Sequence, residues 1–316
     1  MDLALTILFF AVGLVLIIKG GDWFVDSAAW IAKVSGIPEF IIGATIVSVA
    51  TTLPELVVSI VGTIEGEVDM AVGNAVGSVT ANLGLIMGIS IVCIPAVISR
   101  KQFALKALLM VLAALMLMLF GFSSNIGIVA AIVLIAIFAV YAWRNVIDAK
   151  RSAEEEPMAS ADKKQMPKKI MFFIIGIACI VGGSNLLINY GSKLAAIIGV
   201  PSAIIGVTVV AIGTSLPELV TTITAIIKKE ADMSIGNIIG ANIIDLTLIL
   251  PICSFISGGN LPIAKQSYML DMPICLCIAL MGVIPPLIAK RFRRWQGVLM
   301  LCSYAAYVVA VVIKFA

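Results

Sequence analysis

The chain has 316 residues, of which 61% are hydrophobic and only 12% charged, with a net charge of +3 and a mean hydropathy of +1.16. An ordinary soluble domain carries roughly 25% charged residues, so the composition excludes a soluble globular protein and predicts a polytopic membrane protein. Histidine is absent, which removes histidine proton relays, His-ligated zinc and Ser-His or Cys-His nucleophile pairs; no enzyme is expected.

In chain order, ten apolar segments are each long enough to cross a hydrocarbon core of about 30 Å at about 1.5 Å per residue. They fall at residues 3–19, 39–64, 70–95, 104–121 and 126–143, then at 170–189, 201–227, 233–256, 268–289 and 296–315. This predicts an all-α polytopic fold. Met1-Asp2-Leu3 offers neither a basic stretch nor a small-residue cleavage site, so the first segment reads as a retained helix. Stretches 20–38 and 184–200 are less apolar: they are either amphipathic connectors or extensions of long, tilted first helices. Between the halves, 144–169 contains Glu154-Glu155-Glu156-Pro157 and Lys163-Lys164 and reads as a flexible linker. The chain thus divides into 1–143, the linker 144–169, and 170–316. The six cysteines lie in or beside apolar runs without a CxxC pair and read as small hydrophobes.

Basic residues fix the expected orientation. With the N-terminus outside and ten crossings, 18 of the 21 Lys and Arg fall inside, leaving Lys193, Lys265 and Lys314 outside. Both termini are therefore expected outside and the linker in the cytoplasm. Five segments per half, an odd number, makes the halves enter from opposite sides. They form two five-helix inverted-topology repeats, an architecture of secondary transporters with the substrate site at the repeat interface near the midplane.

The repeat is visible in the residues. Gly43–Gly88 and Gly206–Pro251 align without a gap at an offset of 163, with 20 of 46 positions identical. The first copy contains Thr51-Thr52-Leu53-Pro54-Glu55-Leu56, then Gly73-Asn74-Ala75-Val76-Gly77-Ser78 and Asn82. The second contains Thr214-Ser215-Leu216-Pro217-Glu218-Leu219, then Gly236-Asn237-Ile238-Ile239-Gly240-Ala241 and Asp245. Pro54 and Pro217 lack an N–H, so the carbonyls of Ala50 and Gly213 lose their helical donor. In hydrocarbon such breaks survive only when buried in protein or lining a polar cavity.

Spacing places Ser48, Thr51 or Thr52, and Glu55 on one helix face; Ser78 and Asn82 share another. The second copy repeats this with Ala211, Thr214 or Ser215, and Glu218, then Ala241 and Asp245. Packed about a pseudo-two-fold axis, Glu55, Asn82, Glu218 and Asp245 converge. Acidic residues at that depth are functional by default. An all-oxygen, carboxylate-rich site suits Ca²⁺, and its hydroxyls and carbonyls equally suit Na⁺. Mg²⁺, with its strict octahedron, fits less well.

At these motifs the sequence resembles the Ca²⁺/cation antiporter superfamily, most closely its Na⁺/Ca²⁺ exchangers of prokaryotic type. The resemblance rests on G-T-S-L-P-E-L at 213–219 and G-N-x-x-G-x-x-x-x-[ND] at 73–82 and 236–245. It implies electrogenic exchange of several Na⁺ for one Ca²⁺ by alternating access, in the inner or plasma membrane. Glu55 and Glu218 would be the acidic ligands, Asn82 and Asp245 their partners. Thr51, Thr52, Thr214 and Ser215 would supply hydroxyls or carbonyls, Ser48 and Ala211 backbone oxygens, and Ser78 a hydroxyl. Ala241 has lost the hydroxyl of its counterpart, and Thr52 replaces the usual Ser. Ca²⁺/H⁺ exchange and K⁺-dependent Na⁺/Ca²⁺ exchange are the alternatives. Ca²⁺ and Na⁺ are expected as substrates and the lipid bilayer as the environment, with no cofactor, nucleic acid or obligatory protein partner.

Other polar positions read more plainly. Glu65, Glu67, Asp69, Glu230 and Asp232 read as solvated loop residues, and Asp22, Asp26 and Asp271 as interfacial. The glycine pairs Gly73/Gly77 and Gly236/Gly240 read as close helix packing. Asn74 and Asn237 read equally as ligands or as amides that pin the broken helix.

Overall fold

The computed structural model describes residues 3–95, 99–155, 165–197, 213 and 215–315. Helix α1 (Leu3–Ser35) is followed by α2 (Glu39–Thr51) and α3 (Leu53–Ile64). Next come α4 (Val68–Ala81, continued through Asn82–Met87 and Gly88–Cys93), α5 (Arg100–Gly121) and α6 (Ile128–Glu155). The second half holds α7 (Met166–Ile197), α8 (Leu216–Ile227) and α9 (Ala231–Ile244, continued through Asp245–Ile249 and Leu250–Ile256). It ends with α10 (Ser267–Asp271 continued by Met272–Ala289) and α11 (Arg294–Phe315). Strands β1 (Asn125–Gly127) and β2 (Asn260–Pro262) pair antiparallel, with Ile126 opposite Leu261, and tie the α5–α6 connection to the α9–α10 connection.

Among the described residues, eight helices are long and apolar enough to cross a membrane, or nine with α2 and α3 counted as one bent span. Helix α8 is the described part of the segment expected at 201–227, most of whose first part lies outside the described residues. Side-chain distribution agrees with a membrane solvent. Leu5, Leu8, Val15 and Ile18 of α1 are exposed, as are Val57, Val61 and Ile64 of α3, whereas Ser48, Glu55, Glu218 and Asp245 are buried. Polar groups inside and apolar groups outside is the arrangement hydrocarbon requires.

Several boundaries differ from the sequence expectation. Residues 3–35 and 166–197 form continuous helices of 33 and 32 residues, so the less apolar stretches extend the first helix of each half. Helix α6 runs on to Glu155 and α7 starts at Met166, so helix takes up both ends of the expected 144–169 linker. Of the cysteines, Cys253 and Cys275 are buried while Cys93, Cys277 and Cys302 face outward.

Helices α1 and α7 pack antiparallel, with Phe9 stacked on Tyr190 at one end and Phe24 against Phe173 towards the other. Glycine permits the approach: a Cβ on Gly20 would stand 2.9 Å from the Gly176 carbonyl oxygen, and a Cβ on Gly176 equally 2.9 Å from that of Gly20. Gly13 meets Gly183 in the same way. Since Gly13 and Gly20 correspond to Gly176 and Gly183 at the repeat offset, the two contacts exchange under a two-fold operation.

Helix α2 lies along α9 in the same direction. A Cβ on Gly43 would collide with the Met233 carbonyl, and one on Gly236 with the Phe40 carbonyl. A Cβ on Gly240 would lie 2.5 Å from Ser48 Oγ. The expected packing role therefore holds for the second glycine pair.

On the flank of this core, Lys106 of α5 is 1% exposed, lies 3.2 Å from Asp148 of α6 and sits over the Phe40 ring. Lys228 joins α8 to Asp22 and Asp26 of α1, at 3.5 and 2.7 Å. Those two acids are partly exposed. Asp271 is 4% exposed and accepts a hydrogen bond from Tyr307 at 3.1 Å.

Candidate cation-binding site

The chemistry begins at one helix break and at the start of a second helix. Helix α2 stops at Thr51, Thr52 sits at φ −83° and ψ −1°, and α3 starts at Leu53 with Pro54 in its first turn, bent 43° from α2. Proline is tolerated there because the first turn has no intrahelical partner for its missing N–H. Helix α8 repeats the arrangement with Pro217 in its first turn after Ser215. Each of these helices carries a carboxylate, Glu55 or Glu218, in its first turn.

The partner residues stand on wider turns. In α4 the helix opens into a π-helical turn over Asn82–Met87, and in α9 over Asp245–Ile249. Asn82 and Asp245, equivalent at the offset of 163, are the first residue of each. Such turns inside α-helices mark functional sites more often than chance. The arms then cross: α3, carrying Glu55, packs against the Asp245–Ile249 turn, and α8, carrying Glu218, against the Asn82–Met87 turn.

Burial is complete where it matters. Glu55 and Asn82 are 1% exposed, Glu218 and Asp245 0%. The three carboxyl groups lie within electrostatic reach of one another, and Thr52 of the first copy donates its hydroxyl to Glu218 Oε1 at 3.4 Å. Among the described residues, both carboxylate oxygens of Glu55 and of Asp245, Oε2 of Glu218, Oδ1 of Asn82, and the hydroxyls of Ser78 and Ser215 have no hydrogen-bond partner. No three acidic or thiol side chains among the described residues close around one ion-sized point. Buried polar atoms without partners are costly, and a run of acceptors in one place calls for a cation.

The remaining expected residues are distributed as follows. Thr51 donates to the Ser48 carbonyl at 3.3 Å and lies 3.2 Å from Asn237 Oδ1. The Ser48 carbonyl also accepts the Thr52 N–H at 3.0 Å, so it is already engaged within the helix. Ala211 and Thr214 lie outside the described residues. Asn74 donates to the Glu55 carbonyl at 3.3 Å and to Ser59 at 3.0 Å, while Asn237 donates to Thr221 at 3.1 Å. Both amides therefore pin the helices that carry Glu55 and Glu218.

Two residues escaped the sequence reading. Thr222, one turn beyond Glu218, is 1% exposed with an unpartnered hydroxyl; its counterpart is Ser59, so a hydroxyl at this place in both copies was the available signal. Asn242 accepts a hydrogen bond from Asn82 Nδ2 at 3.1 Å. Its counterpart is Val79, so the repeat carried no sign of it.

A multi-pass helical bundle with a buried cluster of carboxylate oxygens drawn from two copies of one motif defines a membrane cation transporter. The pattern of the family described as "Sodium/calcium exchanger protein" matches residues 5–146 and 168–313. The chain belongs to that family, whose members are cation antiporters. An uncharacterized membrane protein of Methanocaldococcus jannaschii is 31% identical over 300 residues, covering 94% of each chain. The sodium/calcium exchanger MaX1 of Methanosarcina acetivorans is 27% identical over 336 residues, covering 94% of this chain and 95% of its own. Among solved structures, the sodium-calcium exchanger NCX_Mj soaked with Na⁺ and Sr²⁺ superimposes with a TM-score of 0.85 at 26% identity over 100% of both chains.

Proposed function

We propose that the protein exports Ca²⁺ across a prokaryotic inner or plasma membrane by exchanging it for Na⁺, through alternating access. Glu55, Asn82, Glu218 and Asp245 form the centre of the site. Thr51, Thr52, Ser78 and Ser215 would add hydroxyl or carbonyl oxygens to it, as would Thr214 and Ala211 from outside the described residues, while the Ser48 carbonyl would have to exchange its helical donors for the ion. The observation that carries this reading is the set of buried, unpartnered carboxylate oxygens on Glu55, Glu218 and Asp245.

Charge gives the coupling. Each carboxylate near the bilayer centre costs roughly 2.5–3.5 kcal/mol on insertion scales. One Ca²⁺ or several Na⁺ offset most of that cost, whereas the empty site keeps it. The loaded protein therefore changes its facing and the empty protein resists doing so. Whenever more than two Na⁺ replace one Ca²⁺, net charge crosses the membrane, and the exchange is electrogenic.

The proposed scaffold is ten spans in two inverted five-helix repeats, 1–143 and 170–316, joined by a cytoplasmic 144–169 with both termini outside. The exchange of Gly13–Gly183 with Gly20–Gly176 supports it, as does the occurrence of the same turn at Asn82 and Asp245.

The test is a jump in the Na⁺ gradient at constant pH, with and without K⁺, across proteoliposomes holding radioactive Ca²⁺. Ca²⁺ flux that follows the Na⁺ gradient and ignores K⁺ supports the proposal. Flux that follows only an imposed pH gradient makes the protein a Ca²⁺/H⁺ antiporter, and an absolute need for K⁺ makes it a K⁺-dependent exchanger.

A further inference from the structure

An amide side chain is a cation ligand only when its oxygen faces the ion. Asn82 carries both ends, and its turn packs against the helix of Glu218, so a carboxylate of the proposed site would attract its NH₂ group whenever no cation is bound. Something else must hold the amide the useful way round. We propose that Asn242 is the positioning residue that does so, through a chain of donors and acceptors beginning at Met110.

The chain has one polarity. The Met110 thioether sulfur is an acceptor only, and Asn242 donates Nδ2 to it at 3.6 Å. With its NH₂ group turned to sulfur, Asn242 must present Oδ1 on its other side. Asn82 fills that oxygen with Nδ2 at 3.1 Å. Its own Oδ1 is then the end left over, and it is unpartnered among the described residues. Asn82 is 1% exposed and Asn242 0%, so both groups are shielded from solvent in this conformation. Asn242 lies one helical turn before Asp245 on α9, which ties the orientation of Asn82 in the first copy to the acidic helix of the second. The counterpart of Asn242 is Val79 and that of Asn82 is Asp245. A carboxylate presents an oxygen in either rotamer and needs no such partner, which accounts for an asparagine on one side only.

The inference rests on the reading of Asn82 as a ligand in the proposed site, and its test separates the two. Equilibrium binding of radioactive Ca²⁺ to purified protein is measured for the wild type, Asn242→Leu, Asn82→Asp and the double variant. Loss of a partner that orients a metal ligand typically weakens metal binding by about 10- to 100-fold. Asn242→Leu is expected to raise the Ca²⁺ dissociation constant by that factor in the wild-type background and by less than about twofold beside Asn82→Asp. Met110→Leu, which keeps the volume and removes the acceptor, gives a smaller shift with the same dependence on background. It serves, with Asn242→Ala, where Asn242→Leu does not assemble. An equal rise in both backgrounds would assign Asn242 a structural role only, and no rise in the wild-type background would overturn the inference outright. Undiminished binding in Glu218→Gln would defeat the site reading itself, whatever Asn242 does.

Discussion

Thr52 donates its hydroxyl to Glu218 Oε1 at 3.4 Å, from the helix break of one copy to the acid of the other. The two-fold counterpart of this contact would join Ser215 to Glu55. It is not made: the Ser215 hydroxyl and both Glu55 oxygens are without partners among the described residues. The scaffold repeats, and the hydrogen bonding of the site does not.

This asymmetry predicts unequal effects of removing the two hydroxyls. Thr52→Val removes a bond to a charged group, worth about 1.5–3 kcal/mol at full strength and less at 3.4 Å. A rise of several-fold in the Ca²⁺ KM is expected, measured as tracer uptake, with Thr52→Ser close to wild type. Ser215→Ala, which breaks no such bond to Glu55, should change Ca²⁺ KM less and act mainly on Na⁺ dependence.

Close backbone packing makes Gly43 and Gly236 sensitive positions. A Cβ at either would enter a carbonyl oxygen of the facing helix. Gly236→Ala is expected to cost about 1–3 kcal/mol, as overpacking does, and to lower the Tm in detergent. An unchanged Tm would mean that α2 and α9 separate freely.

Lys106 and Asp148 form an ion pair that is buried on one side and 21% exposed on the other. Removing Asp148 strands the buried Lys106 charge, a loss of roughly 3–5 kcal/mol for a fully buried pair, whereas removing Lys106 leaves Asp148 beside Arg144, 3.7 Å away. Asp148→Asn should therefore lower the Tm more than the double change Lys106→Met with Asp148→Asn. Additive losses would contradict pairing as the source of the effect.

On the proposed site, three carboxylates without a countercharge would make the empty protein slow to reorient. Ca²⁺-loaded vesicles placed in medium lacking Na⁺ and Ca²⁺, at fixed pH, should release Ca²⁺ no faster than protein-free vesicles. Adding external Na⁺ should start the efflux. Rapid release into cation-free medium would contradict obligatory exchange.

How much of this was legible in the sequence depended on whether a feature repeats. Glu55 and Glu218 stood out because an acid beside a proline occurs twice in apolar surroundings, and both proved buried in the first turn of a helix. Asn82 and Asp245 were legible by spacing, though the wider turns that begin at them were not, since nothing in the residue types demands a π-helical turn. Features made by one copy alone were silent. Asn242 has Val79 as its counterpart, and the contact of the Tyr141 hydroxyl with the Ala44 carbonyl joins segments far apart in sequence. Asp271 was read as interfacial from its place near a segment end, which tells nothing of burial; that comes from packing that also brings Tyr307 within hydrogen-bonding distance. The ends of α6 and α7 were misjudged because charged residues at a membrane surface prolong a helix as readily as they end it.

The central claim is that one cluster, built from both copies, holds Ca²⁺ and Na⁺ in turn. Equilibrium binding of radioactive Ca²⁺ to the purified wild type, Glu55→Gln and Glu218→Gln across a series of Na⁺ concentrations tests it most directly. The account predicts Ca²⁺ binding that Na⁺ displaces, weakened about tenfold or more by either substitution, as loss of a bond to a charged group implies. Ca²⁺ binding that ignores Na⁺, or that survives both substitutions unchanged, would contradict it.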